Sequence, residues 1–236
     1  MLSTLLLLLK GAKFGKLLLT GGTMLISVFA YALLFGWPYA VGFVGLIFVH
    51  EMGHFVAARA RGLEVGAPTF IPFVGAWIQL KDQPRDAETE AYIGMAGPLV
   101  GSLGALACYW MARETGSTLL LALAYSGFFL NLFNLIPVSP FDGGRITAVI
   151  SPRLWLLGAP LLVALFFWRP SPLLILMVVL AWPRLVEAWR GIRSPEQAAY
   201  YEASLETRTS YGLLYLGLAA FLAIMCHELH GELPRR

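Results

Sequence analysis

Charge is scarce in this chain. Only 13% of its 236 residues are Asp, Glu, Lys or Arg, while 58% are hydrophobic. A soluble domain carries charge on about a quarter of its residues, so a water-exposed fold is excluded. Cysteine is nearly missing: Cys108 and Cys226 both fall within apolar runs. That excludes a disulfide framework and a thiolate metal centre, and leaves two small apolar packing residues. A strong excess of one sign is missing too. The net charge is +3, with the basic residues at the ends of apolar runs. Membrane orientation explains them, and a nucleic-acid-binding face does not. No basic stretch precedes Leu5–Leu9, so a cleavable signal peptide is not expected. Lys10, Lys13 and Lys16 follow at helical spacing instead, as in a short interfacial helix over 1–16. There is no internal repeat, no low-complexity tract and no stretch suited to a separate soluble domain.

What the chain has is apolar length. Seven runs are long enough, or nearly so, to cross about 30 Å of hydrocarbon: roughly 17–37, 39–60, 91–112, 118–138, 154–168, 172–189 and 211–227. The fifth is short enough to be re-entrant. The expected class is an all-α polytopic membrane protein with about six to seven transmembrane helices. Its core is expected over 17–150, with further helices and a short tail over 151–236. Basic residues orient it. With a cytoplasmic N-terminus, Lys10, Lys13, Lys16, Arg59, Arg61, Lys81, Arg85, Arg145, Arg153, Arg184, Arg190, Arg193 and Arg208 lie inside. Only Arg113, Arg169, Arg235 and Arg236 lie outside, as the positive-inside bias favours. Trp77, Trp155, Trp182 and Trp189 read as core or interfacial anchors. Residues 194–208 are polar and read as a cytoplasmic connector.

Residues 63–80 break the pattern. They are apolar and rich in β-branched and aromatic residues, but Gly66, Pro68, Pro72 and Gly75 interrupt them. Two prolines argue against a spanning helix and for two short strands with a turn. Non-helical backbone at membrane depth must be shielded or line a wet cavity. A small membrane-associated β-hairpin near the active site is therefore expected.

Four histidines are present in all, and two of them sit four residues apart in His50-Glu51-Met52-Gly53-His54. On a helix that spacing puts both imidazoles on one face, where they can share a metal ion, with Glu51 beside it as a base. Ionisable groups inside a bilayer are costly and mark function by default. A catalytic zinc site needs a third protein ligand. Asp142 is the best placed: Pro137 and Pro140 should end the fourth span, and Gly143 and Gly144 should allow a turn that returns the carboxylate to the metal. Glu64, Glu88, Glu90, Glu187, Glu196 and Glu202 are the rival carboxylates, and none sits in a comparable motif. Asn131 lies one turn before Asn134 and divides evenly between support and packing. Gly94, Gly97 and Gly101 read as a close helix contact without chemistry. His227-Glu228-Leu229-His230 has the wrong spacing for a metal pair and reads as a solvated tail.

Together, His50-Glu51-x-x-His54, Gly94-x-x-Gly97-Pro98 and Asn134-x-x-Pro137-x-x-Pro140-x-Asp142-Gly143 resemble the site-2 protease family of intramembrane zinc metalloproteases. The resemblance covers roughly 40–145. It implies zinc held by His50, His54 and Asp142, with Glu51 activating water. It also implies that Asn134 helps to hold the substrate or the developing oxyanion. The implied partners are the lipid bilayer and a transmembrane protein substrate, either a membrane-anchored regulator released by cleavage or a signal-peptide remnant. No inserted PDZ-like segment or regulatory nucleotide-binding domain is apparent, and the plain chain suits a bacterial or archaeal inner membrane. The competing class is a non-enzymatic metal-binding transporter or scaffold. A transporter would be expected to show paired broken helices in an internal repeat, and a scaffold has no use for Glu51.

Overall fold

A computed structural model describes residues 2–80 and 82–233, with side chains over 18–78 and 82–233. Lys10, Lys13, Lys16, Lys81, Arg235 and Arg236 therefore have no described side chains. Helix α1 (Leu2–Phe35) is continuous, so the basic N-terminal segment is the start of the first long helix and not a separate one. Gly36, at a positive φ of 84°, breaks the chain. Pro38 then starts α2 (Trp37–Ala60) within its first turn, where the missing N–H costs nothing.

The hairpin follows. Strand β1 (Val65–Ile71) pairs antiparallel with β2 (Gly75–Leu80), with Pro68 opposite Ile78, Thr69 opposite Trp77 and Phe70 opposite Ala76. The outer edge of β1 is closed by α1: Thr20 Oγ1 donates to the Pro68 carbonyl at 2.8 Å, and Thr23 Oγ1 accepts from the Phe70 amide at 3.2 Å. Pro68 and Phe70 thus turn their backbone groups away from β2. By the alternation of an antiparallel ladder, their partners Ile78 and Ala76 turn theirs to the opposite, open edge.

Helix α3 (Ala87–Thr115) starts where Asp86 accepts from the Thr89 amide at 2.7 Å and ends at Gly116, φ 68°. It is the central element, packed against α2, α4 (Thr118–Asn134) and α5 (Asp142–Ile150). Lipid offers helices no hydrophobic drive to associate, so small residues that let backbones approach must do so. Gly53 of α2 is one of these: a Cβ there would overlap the Ala96 carbonyl of α3. Helix α4 ends at Asn134, three residues before Pro137.

Gly143 and Gly144 do not make the turn expected of them. Neither has a positive φ; both lie in the first turn of α5. Their lack of a Cβ serves packing, since added carbons would overlap the Leu135 and Ile136 carbonyls and the Val138–Ser139 backbone.

A 3-10 turn (Pro152–Leu157) leads into α6 (Gly158–Trp168), followed by α7 (Pro172–Arg190), the short α8 (Pro195–Tyr200) and α9 (Leu205–Glu232). Five described helices, α1, α2, α3, α7 and α9, are long and apolar enough to cross a bilayer; α4 and the 152–168 segment are shorter apolar helices. Each of the seven expected runs carries a helix, but the fourth is helical only to Asn134, and two fall short of span length. The His227–His230 segment is not a loose tail. It continues α9, with Leu229 fully buried and Glu232 bonded to Arg113 of α3. Its two histidines remain exposed.

Candidate metal centre

Helix α2 presents His50, Glu51 and His54 toward α3 and α5, each buried to 6% exposure or less. Each imidazole is held from behind. His54 Nδ1 lies 2.7 Å from the Ile93 carbonyl of α3, which can only accept, so Nδ1 carries the proton. His50 Nδ1 lies 2.8 Å from Asn131 Oδ1. The Asn131 carboxamide is itself oriented by donating Nδ2–H to the Gly127 carbonyl at 2.7 Å, so its oxygen faces the ring. With both Nδ1 atoms protonated, neutral imidazoles must present bare lone pairs at Nε2.

These lone pairs converge. The two Nε2 atoms are 3.1 Å apart, and Asp142 Oδ2 lies 3.1 Å from that of His50 and 3.2 Å from that of His54. Three acceptors at this range repel one another unless a cation sits among them. Zinc–ligand bonds of about 2.0–2.1 Å in a tetrahedron place ligand atoms roughly 3.3–3.4 Å apart. The observed triangle is close to that, so the residues present fit zinc. Among the described residues this is the one group of three or more His, Cys, Asp or Glu side chains placed to share a metal ion. The rival glutamates are not in it.

Asp142 arrives because α4 stops at Asn134 and the 135–141 segment folds back, with the Val138 carbonyl accepting from the Phe141 amide at 3.0 Å. Its outer oxygen, Oδ1, lies 4.0 Å from Arg145, whose Nε is 4.0 Å from Glu90 of α3. Glu90 in turn accepts from the Tyr200 hydroxyl at 2.6 Å. A cleft of about 100 Å³ opens onto the triad, lined by Glu51, Asn134 and Arg145 and by Ala76, Trp77 and Ile78 of β2. Among the described residues no hydrogen bond occupies the Glu51 carboxylate. Asn134 gives one N–H to the Leu130 carbonyl at 3.0 Å and retains the other.

Four contributors are not assigned by the sequence. Asn131 stood between support and packing; it is the residue that holds His50. Gly97 and Gly101 read from the sequence as packing alone, yet a Cβ on the first would overlap the His54 ring and on the second the Asn131 carboxamide. Arg145 counted only as an orienting charge. Its place one turn after Asp142 on α5 was the available signal.

The model for peptidase family M50 matches residues 38–116. That stretch includes His50–His54 and Gly94–Pro98 and stops before Asn134 and Asp142. “Zinc metalloprotease MJ0392” of Methanocaldococcus jannaschii is 32% identical over 113 residues, 46% of this chain and 32% of the relative. “Putative zinc metalloprotease Rip3” of Mycobacterium tuberculosis is 32% identical over 115 residues, 45% of this chain and 29% of the relative. “Probable zinc metalloprotease EGY1, chloroplastic” of Arabidopsis thaliana is 37% identical over 70 residues, 28% of this chain and 13% of the relative. The matched stretch spans about a third or less of the length of each of these relatives.

Proposed function

We propose that this chain, whose residues 38–116 match the model for peptidase family M50, is an intramembrane zinc metalloprotease, hydrolysing peptide bonds within or near the membrane-spanning segments of other proteins. The observation that carries this reading is the convergence of three buried acceptors, on His50, His54 and Asp142, beside an unbonded Glu51 at the base of a cleft.

Zinc bound by His50, His54 and Asp142 would polarise a substrate carbonyl and bring the pKa of a coordinated water to about 7. Glu51 takes a proton from the attacking water and delivers it to the leaving amine. Asn134 lines the cleft with a second N–H to give, and in this reading it steadies the substrate or the oxygen that becomes negative, an effect worth about 3 kcal/mol in comparable sites. Peptide bonds in a helical substrate are already hydrogen-bonded, so the segment must unwind. The open edge of β2, with the Ala76 and Ile78 backbone groups outward, accepts it as an added strand. The charge distribution supports a cytoplasmic N-terminus, with the site toward the cytoplasmic side and water reaching it by a short path. Substrates in this reading are membrane-anchored regulators or signal-peptide remnants.

The test is reconstitution of the full chain in liposomes with a panel of single-span peptides, new termini being read by mass spectrometry. The parent should cut within or beside the apolar segment. Glu51→Gln should keep its zinc and cut at least about 100-fold more slowly, as loss of a general base does. Equal cleavage by a zinc-loaded Glu51→Gln would remove the proposed base. A zinc-loaded parent that cuts nothing on the panel would favour a metal-binding role without proteolysis.

A further inference from the structure

A second cavity, of about 460 Å³, lies between the end of α5, the last turn of α7, α8 and the first turn of α9, apart from the metal centre. Its lining is cationic. Arg153 and Arg190 are exposed to it, and among the described residues no acidic group bonds either guanidinium. Arg208 is held rigidly by backbone alone: Nε donates to the Ala203 carbonyl at 3.2 Å, one terminal nitrogen to Tyr201 at 2.9 Å, and the other to Ile150. Carbonyls orient a guanidinium but do not cancel its charge. The single acid in the lining, Glu187, is already committed, accepting from Arg184 at 2.8 Å and from the Tyr201 hydroxyl at 3.1 Å. Three cations therefore face the space with little to balance them.

Depth narrows the ligand. The cavity sits where α7, apolar enough to span, ends at Arg190. Trp189 beside it is 82% exposed, as expected of an aromatic anchor at the headgroup level. Basic pockets between helices at that level suit phosphate-bearing headgroups, and guanidinium is the side chain best matched to phosphate oxygens.

We propose that the Arg153–Arg190–Arg208 cavity binds the phosphate group of an anionic membrane lipid, docking it against the α7–α9 end of the bundle. The same chemistry would accept free phosphate, so the test separates the two sources. The detergent-purified full chain is incubated with phosphatidylglycerol or phosphatidylcholine, and bound lipid is counted by native mass spectrometry. The parent is expected to retain phosphatidylglycerol in preference to phosphatidylcholine, and the Arg153→Gln/Arg190→Gln variant to retain at least about tenfold less of it. Zinc content, read in the same spectra, should be unchanged, which reports an intact fold. Equal retention of the two lipids, or full retention by the variant, overturns the site. Binding of inorganic phosphate by the parent with no preferential retention of phosphatidylglycerol overturns the lipid assignment and leaves a free-anion site.

Discussion

Removing the Asn131 carboxamide would leave the His50 Nδ1–H without its acceptor on a residue only 3% exposed. The ring would lose both its tautomer preference and its orientation. Partners of this kind typically affect metal affinity about 10–100-fold, so Asn131→Ala should weaken zinc binding by that range in a chelator competition while helix content is kept. Unchanged affinity would mean that packing alone orients His50. Gly97→Ala should act on the other imidazole, because the new methyl overlaps the His54 ring; zinc should be lost or bound far more weakly. Gly45→Ala in α2 is the matched control, since nothing lies within 4 Å of its added carbon. At this scale the histidine pair was legible because helical periodicity alone sets its geometry. Asn131 was not, since an asparagine in a span serves as readily in any interhelical hydrogen bond. The Ile93 carbonyl was invisible in principle: every residue has one, and only the fold says which one meets His54.

Among the elements, the hairpin gives the sharpest prediction. Trp77 pairs inward with Thr69, whereas Ile78 sits opposite Pro68 with its backbone groups on the open edge. Ile78→Pro should therefore remove one outward N–H and impair cleavage while the hairpin and zinc persist. Trp77→Pro should break the β1–β2 pairing itself and show as lost strand signal. Normal cleavage by a stably inserted Ile78→Pro chain would remove strand addition from the mechanism. The hairpin was readable because prolines and glycines at 66–75 forbid a spanning helix. The 135–144 return was readable only in part. Pro137 announced the end of α4, but adjacent glycines suggested a turn where the chain instead starts α5. The crowding that demands glycine comes from the 135–139 backbone, a contact that no local pattern encodes. Inserting a methyl at Gly143 should cost about 1–3 kcal/mol, the usual penalty of overpacking, read as a lower unfolding midpoint in detergent.

Across the whole molecule, the apolar runs forecast a polytopic bundle, and seven helical segments stand where seven were expected. Composition cannot fix the number that cross. Helix α4 has 17 residues and α6 has 11, so their depth depends on packing against longer neighbours. The metal centre joins α2 to α5, and its donors are brought together only in the folded chain. Zinc binding should therefore stabilise the bundle as a whole, by about 4 kcal/mol at a free concentration a thousand times the dissociation constant. A chelator should lower the parent's unfolding temperature and leave that of Asp142→Ala nearly unmoved.

Zinc per chain in the purified protein, beside His54→Ala and Asp142→Ala with insertion confirmed for each, tests the three-ligand centre most directly. About one zinc in the parent, falling sharply in both variants, is the expected result. Full zinc in Asp142→Ala, or none in a well-folded parent after reconstitution, would contradict it.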